Sequence, residues 1–91
     1  MEITFDAAKR FQTLRDRGLD FVDAVLVFEG PTIELDDART DYGERRVVCY
    51  GWPGGRLVVV VYTPRGAARH IVSMRKANAR EKARFSPSRD V

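Results

Sequence analysis

The stretch Leu57-Val58-Val59-Val60-Val61-Tyr62 constrains this chain more than any other. Consecutive valines are stiff at χ1 and fit a pleated strand better than a helix. The run is far short of the ~20 apolar residues that a membrane-spanning helix needs. No polar residue interrupts it, so this strand is expected to be central in a sheet and covered on both sides. With 91 residues, the chain has room for one such sheet and a few helices. Burial of roughly 60–65% of the unfolded surface is expected at this size. One domain over residues 1–91 follows, with a loose tail from about residue 86.

The rest of the chain is punctuated around that strand. Ile3 and Phe5 share one side of a short first strand over residues 1–5. Asp6 offers a carboxylate to the free amides of a first helical turn. Ala7, Phe11 and Leu14 follow at helical spacing, and Gly18 supplies the left-handed stop. Asp20 opens a second helix, with Phe21, Val22, Val25, Leu26 and Phe28 mainly on one face. Gly30-Pro31 ends it, because proline cannot continue the helical hydrogen bonding. The two helices form a hairpin jointed at Arg17-Gly18-Leu19.

From Thr32 the period changes. Residues 32–35, 45–52, 56–63 and 67–74 read as strands, with a polar loop over 36–44 and turns at Pro53-Gly54-Gly55 and Pro64-Arg65-Gly66. Residues 76–85 are rich in Ala, Arg, Lys and Glu, hence helical by propensity. The expected class is α+β: an antiparallel meander packed on one face by the N-terminal helical hairpin, with a C-terminal helix.

Charge sharpens this layout. The net +3 divides into five basic against eleven acidic residues over 1–44, a balance of −6, and eleven against two over 45–91, a balance of +9. Nine of those eleven are arginines. Such asymmetry suggests a polyanionic partner, and the planar guanidinium suits phosphate. A solvated basic face is the bland alternative. One cysteine excludes an internal disulfide, and one histidine beside it disfavours a metal site. Met1-Glu2-Ile3-Thr4-Phe5-Asp6 carries acid where a secretory leader would be basic, so the cytoplasm is the expected compartment. No Gly-rich phosphate loop or dinucleotide fingerprint implies a cofactor.

Strand alternation selects the candidate site. Arg69, Ile71, Ser73 and Arg75 fall on one side of the last strand, and His70, Val72 and Met74 on the other. Arg69, Ser73 and Arg75 would then line an open surface, joined by Arg45 and Arg65 from neighbouring strand ends. Such a surface would bind phosphates and stabilise charge developing on a phosphorane. Solvated arginines on an open sheet are the alternative. His70 is the one imidazole and a general acid or base by type. Its parity favours a packed or rim role. Cys49 among valines reads as a small core residue, and Tyr50, Trp52 and Tyr62 as core-edge aromatics that could instead stack on bases. Glu44, before Arg45-Arg46, is either a base close to arginines or a salt-bridged loop residue.

The ordered pattern resembles a known family. It comprises Ile3-Thr4-Phe5-Asp6 with Lys9, Gly18-Leu19-Asp20-Phe21 leading to Ala24, Val27-Phe28 and Pro31, then Gly43-Glu44-Arg45 and Gly55-Arg56 through Tyr62-Thr63. Arg65-Gly66, Arg69, Ile71-Val72-Ser73, Arg75, Ala77 and Glu81 close it. Together these are similar to the BrnT family of toxins from type II toxin–antitoxin systems, from about Ile3 to Phe85. The resemblance implies a RelE-like fold and a ribonuclease that needs no metal or other cofactor. It also implies a BrnA-type ribbon-helix-helix antitoxin as partner, with RNA as substrate and DNA met only through the antitoxin. No membrane is implied.

On this reading Arg75, Arg65, Glu44 and Lys9 are the catalytic candidates. Arg45, Arg69, Ser73, Arg56 and Arg80 are the RNA-binding candidates, and no residue is assigned to a metal. The implied reaction is attack of a 2′-hydroxyl on the adjacent phosphate. Two departures from the family pattern, Asp16-Arg17-Gly18 where Lys-His-Gly is frequent and Phe85 where tyrosine is common, allow for attenuated activity. A non-catalytic RNA-binding module, or a protein-interaction subunit with a basic sheet face, stands as the alternative.

Overall fold

The computed structural model describes residues 1–39 and 41–85; the tail expected from about residue 86 lies outside the described residues. Five strands, β1 (Glu2–Phe5), β2 (Thr32–Asp36), β3 (Val47–Gly51), β4 (Val58–Arg65) and β5 (Ala68–Lys76), form one sheet in the order β1-β5-β4-β3-β2. Three helices accompany it: α1 (Ala7–Arg17), α2 (Ala24–Glu29) and α3 (Ala79–Phe85). A 3-10 turn, Phe21–Asp23, leads into α2. The valine run lies in β4, central as its composition required, between β3 and β5.

The sheet is mixed, which corrects the expected all-antiparallel meander. β1 pairs with β5 in parallel, Glu2 opposite Ala68 through Phe5 opposite Ile71. Antiparallel pairing is imposed where short turns join neighbours. β1 and β5 are separated in the chain by β2, β3 and β4, so no turn sets their direction.

Helices also lie on both faces rather than one. On the first face Phe21, Ala24 and Val27 meet Val47, Cys49, Val58, Val60, Tyr62, Ile71 and Met74, with Phe5 and Phe28 packed against them. On the second face Phe85 of α3 joins Tyr50, Leu57, Val59 and Ala77. Gly51 lets α2 approach β3, since a Cβ there would stand 2.6 Å from Val27 Cγ1.

Local chemistry sets the helix ends much as the sequence suggested. Asp6 Oδ1 accepts from the amides of Ala8 at 2.8 Å and Lys9 at 3.3 Å. Gly18, at φ +69°, closes α1 with its N–H donated to the Leu14 carbonyl at 3.0 Å. A reciprocal pair starts α3: Glu81 N–H donates to Asn78 Oδ1 at 2.8 Å and Asn78 N–H to Glu81 Oε1 at 3.0 Å. Contrary to its apolar spacing, α1 buries no residue, and Phe11 and Leu14 are exposed. The helix lies along the rim where β5 runs on past the end of β1. There Arg17 Nη1 donates to the Met74 carbonyl at 3.0 Å and satisfies that one acceptor of the open edge.

Candidate active site

One extra residue decides which side chains meet. Val61 pairs with Ser73 but Tyr62 pairs with Ile71, so Val72 has no partner and forms a bulge in β5. Simple alternation fails across it. Ile71 and Met74, at 0% and 2% exposure, both enter the first-face core. His70, Ser73 and Arg75 consequently share the second face. Arg69 goes to the first, its guanidinium carbon 4.4 Å from the Phe28 ring centre and 5.1 Å from that of Tyr62. The expectation that Arg69, Ser73 and Arg75 point the same way is therefore corrected. So is the placement of His70 on the Met74 side, although His70 is half-buried, as a rim residue would be.

At the end of the second face where β1, β4 and β5 meet, the charged candidates gather around His70. Its Nδ1 lies 2.8 Å from Thr4 Oγ1 of β1. Arg65, ending β4, approaches Glu44 with Nη2 3.5 Å from Oε1. Partial burial first, and then Arg65, holds the His70 pKa below the ordinary histidine value. Lys9 pushes it the same way, while Glu44 and Asp6 pull against them. Across the strand pair from His70, Thr63 is 2% exposed, and its buried Oγ1 has no hydrogen-bond partner among the described residues. Lys9, Gln12, Thr13, Asp16 and Arg17 of α1 line a polar cleft of ≈ 220 Å³ with Val72 and Ser73. Three of the catalytic candidates, Arg65, Glu44 and Lys9, thus converge on a histidine that strand parity had turned away.

Arg75 occupies the same face but is held by α3. Its Nη1 and Nη2 donate to Glu81 Oε1 and Oε2 at 2.7 and 2.8 Å. That pair is the main reason the Glu81 pKa falls to about 2. Tyr50 Oη adds a longer contact to Glu81 at 3.4 Å. Burial, then Glu81, pushes the Tyr50 phenol up. The loop before β3 lies near this region. Asp37 accepts from Arg39 Nε at 2.8 Å and from Tyr42 Oη at 3.3 Å, and Arg46 stacks over the Tyr42 ring at 3.8 Å. Arg46 Nε is buried without a hydrogen-bond partner among the described residues.

The other candidates lie elsewhere. Arg45 Nε bonds Asp36 Oδ1 at 2.9 Å. Arg56 borders a larger groove of ≈ 610 Å³, with Leu26, Trp52, Pro53 and Lys76, at the opposite end of β5 from His70. Size does not mark the site here: Asp20 and Asp23 also line the larger groove, but Asp20 is held by Arg10 at 2.8 Å and no histidine borders it. Arg80 is exposed on α3. Cys49 is fully buried, and burial drives its thiol up to about 12, as befits a core residue. Tyr62 Oη donates to Glu34 at 2.6 Å; burial first, and then this bond, raises it to about 12. No three of His, Cys, Asp and Glu are grouped to hold a metal ion among the described residues. No helix among them is long and apolar enough to cross a membrane.

A family model described as "Ribonuclease toxin, BrnT, of type II toxin-antitoxin system" matches residues 5–81. The chain belongs to the BrnT family. The match contains Lys9, Glu44, Arg65, His70, Arg75 and Glu81, and Thr4 stands one residue before it. Membership brings RNA as the substrate class and an antitoxin as the partner. No individually curated protein matches the chain.

Proposed function

We propose that this BrnT-family chain is a metal-independent endoribonuclease whose reaction takes place at the His70 end of the second face. The observation that carries this reading is the convergence of Arg65, Glu44 and Lys9 there, from β4, a loop and α1. Cleavage by 2′-hydroxyl attack needs a base, a proton donor and positive charge against the phosphorane. Arg65 and Arg75 face the phosphate, and Glu44 or Lys9 transfers protons. Ser73 lies between them on the same face, with Arg45, Arg56 and Arg80 as outlying phosphate contacts along the RNA. Arg69 is left out of this track because its guanidinium lies across two rings of the other face.

Residues 1–91 act as one toxin domain of RelE-like architecture, the helical hairpin packed on the sheet, and work in the cytoplasm. A BrnA-type ribbon-helix-helix antitoxin neutralises it by covering the basic second half. The test is incubation of antitoxin-free protein with RNA in the presence of a chelator. Fragments ending in 2′,3′-cyclic phosphate and 5′-hydroxyl are expected. Salt-sensitive binding that leaves the RNA intact would instead make the chain a non-catalytic RNA-binding module.

A further inference from the structure

His70 is a general acid or base by residue type, and the family description assigns it no role. Among the described residues its ring is fixed from one side only: Thr4 Oγ1 lies 2.8 Å from Nδ1, and no hydrogen bond to Nε2 is found there. In the tautomer carrying its proton on Nδ1, the ring donates to Thr4 Oγ1 and Nε2 keeps its lone pair. The neighbours come from every side of the cluster. Thr4 and Asp6 flank it at the end of β1, Lys9 on α1, Glu44 on the loop, and Arg65 and Thr63 on β4. Thr63 places on the same face, directly across from His70, a hydroxyl oxygen with no partner among the described residues, at 2% exposure. A fixed imidazole with its other nitrogen open, set beside Arg65 and Lys9 as well as Glu44 and Asp6, suits proton removal beside a phosphate.

We infer that His70 is the general base of the reaction, taking the 2′-hydroxyl proton on Nε2, with Thr4 as the residue that positions its ring. This rests on the ribonuclease reading above and narrows its proton carriers. As the 2′-oxygen bonds to phosphorus, its proton passes to Nε2 and the imidazole becomes imidazolium. The bond from phosphorus to the 5′-oxygen breaks, and that oxygen takes a proton from the Lys9 ammonium. The products are a 2′,3′-cyclic phosphate and a 5′-hydroxyl, and exchange with water returns both side chains to their starting states. Glu44 keeps Arg65 in place at 3.5 Å rather than carrying the proton. Partial burial first, and then Arg65, keeps His70 neutral to lower pH than an ordinary histidine, which suits a base at neutral pH.

The test is cleavage of a short RNA by antitoxin-free protein, with kcat/KM followed from pH 5 to 8. Wild type should rise with pH through a single limb lying below the ordinary histidine value and then level off. His70→Asn, which keeps a hydrogen-bonding group toward Thr4, should lose about 10²- to 10⁴-fold and lack that limb. His70→Ala should regain activity with added imidazole, which only a folded protein with a vacated base position can do. Thr4→Val should keep the limb but lower kcat more than it changes KM. His70→Asn cleaving at the wild-type rate with the limb intact would overturn the inference and leave the ribonuclease reading standing. Activity that falls as pH rises through the same range would also overturn it, because His70 would then act as a cation. Wild type that leaves RNA intact would overturn both.

Discussion

The two faces of the sheet are built from the same strands but obey different rules. On the first, Phe21, Ala24, Cys49, Val60 and Ile71 are all at 0% exposure. Its polar groups are quenched there: Tyr62 bonds Glu34 at 2.6 Å, and Arg69 lies on aromatic rings. On the second, α3 covers one end, where Phe85 stacks on Tyr50 with ring centres 4.3 Å apart. The other end holds His70, Arg65, Glu44 and Ser73 partly or fully exposed. Stability resides in one face and titratable chemistry in the uncovered end of the other. A small domain has few residues to spare, and this division lets a charged cluster exist without hollowing the core.

The comparison is broken most severely by attacking the closed face. Phe21→Ala should cost about 3–5 kcal/mol, the usual loss for a fully buried aromatic, whereas Ser73→Ala on the open face should change stability by less than about 1 kcal/mol. Urea unfolding of the two variants measures the contrast. Equal losses would mean that the faces do not differ in this way.

A smaller effect is expected where α3 closes the second face. Glu81→Gln removes the charge that receives both Arg75 nitrogens and should cost about 1–2 kcal/mol, after discounting for an Arg75 side chain that is 40% exposed. The pH dependence has a definite sign. The Glu81 pKa is lowered to about 2 from 4.5, so its contribution is complete above about pH 4.5 and is lost as pH falls toward 2. Thermal melts of wild type and Glu81→Gln should therefore converge on acidification. A gap that persists at pH 2 would count against the pair.

The smallest loss is expected from what looks like the most disruptive change. Deleting Val72 removes the bulged residue and leaves Ile71 opposite Tyr62 and Ser73 opposite Val61. Both faces are preserved, and cooperative unfolding should persist with a stability change of about 1 kcal/mol or less. Were β5 regular, the same deletion would turn Ser73 and Arg75 into the core and Met74 out of it. Loss of cooperative unfolding would show that the bulge is misplaced.

Much of this architecture was legible in the chain because it is written locally. The valines of β4 mark the central strand, Asp6 and Gly18 mark the ends of α1, and the basic second half marks the strands and helix that hold most of the arginines. Long-range geometry was not legible. The parallel pairing of β1 depends on contacts between distant segments, and the exposure of Phe11 and Leu14 depends on where the rim of β5 lies. The bulge at Val72 has no glycine or other local signal. An apolar residue at position 72 fits either parity, so alternation put Arg69 with the site and His70 away from it. Asn78 and Glu81, at capping-box spacing, could have announced the start of α3. Their reach to Arg75 could not be read from spacing alone.

The most direct measurement compares two arginines four positions apart in sequence. RNA cleavage should be followed for Arg65→Ala and Arg69→Ala at equal protein concentration, with thermal unfolding of each recorded alongside. The account predicts that Arg65→Ala loses at least about 10²-fold in kcat/KM with its unfolding temperature nearly unchanged. Arg69→Ala should cleave within a few-fold of wild type and unfold slightly earlier. Full activity in Arg65→Ala, together with collapse in a folded Arg69→Ala, would place the chemistry on the other face and contradict the account.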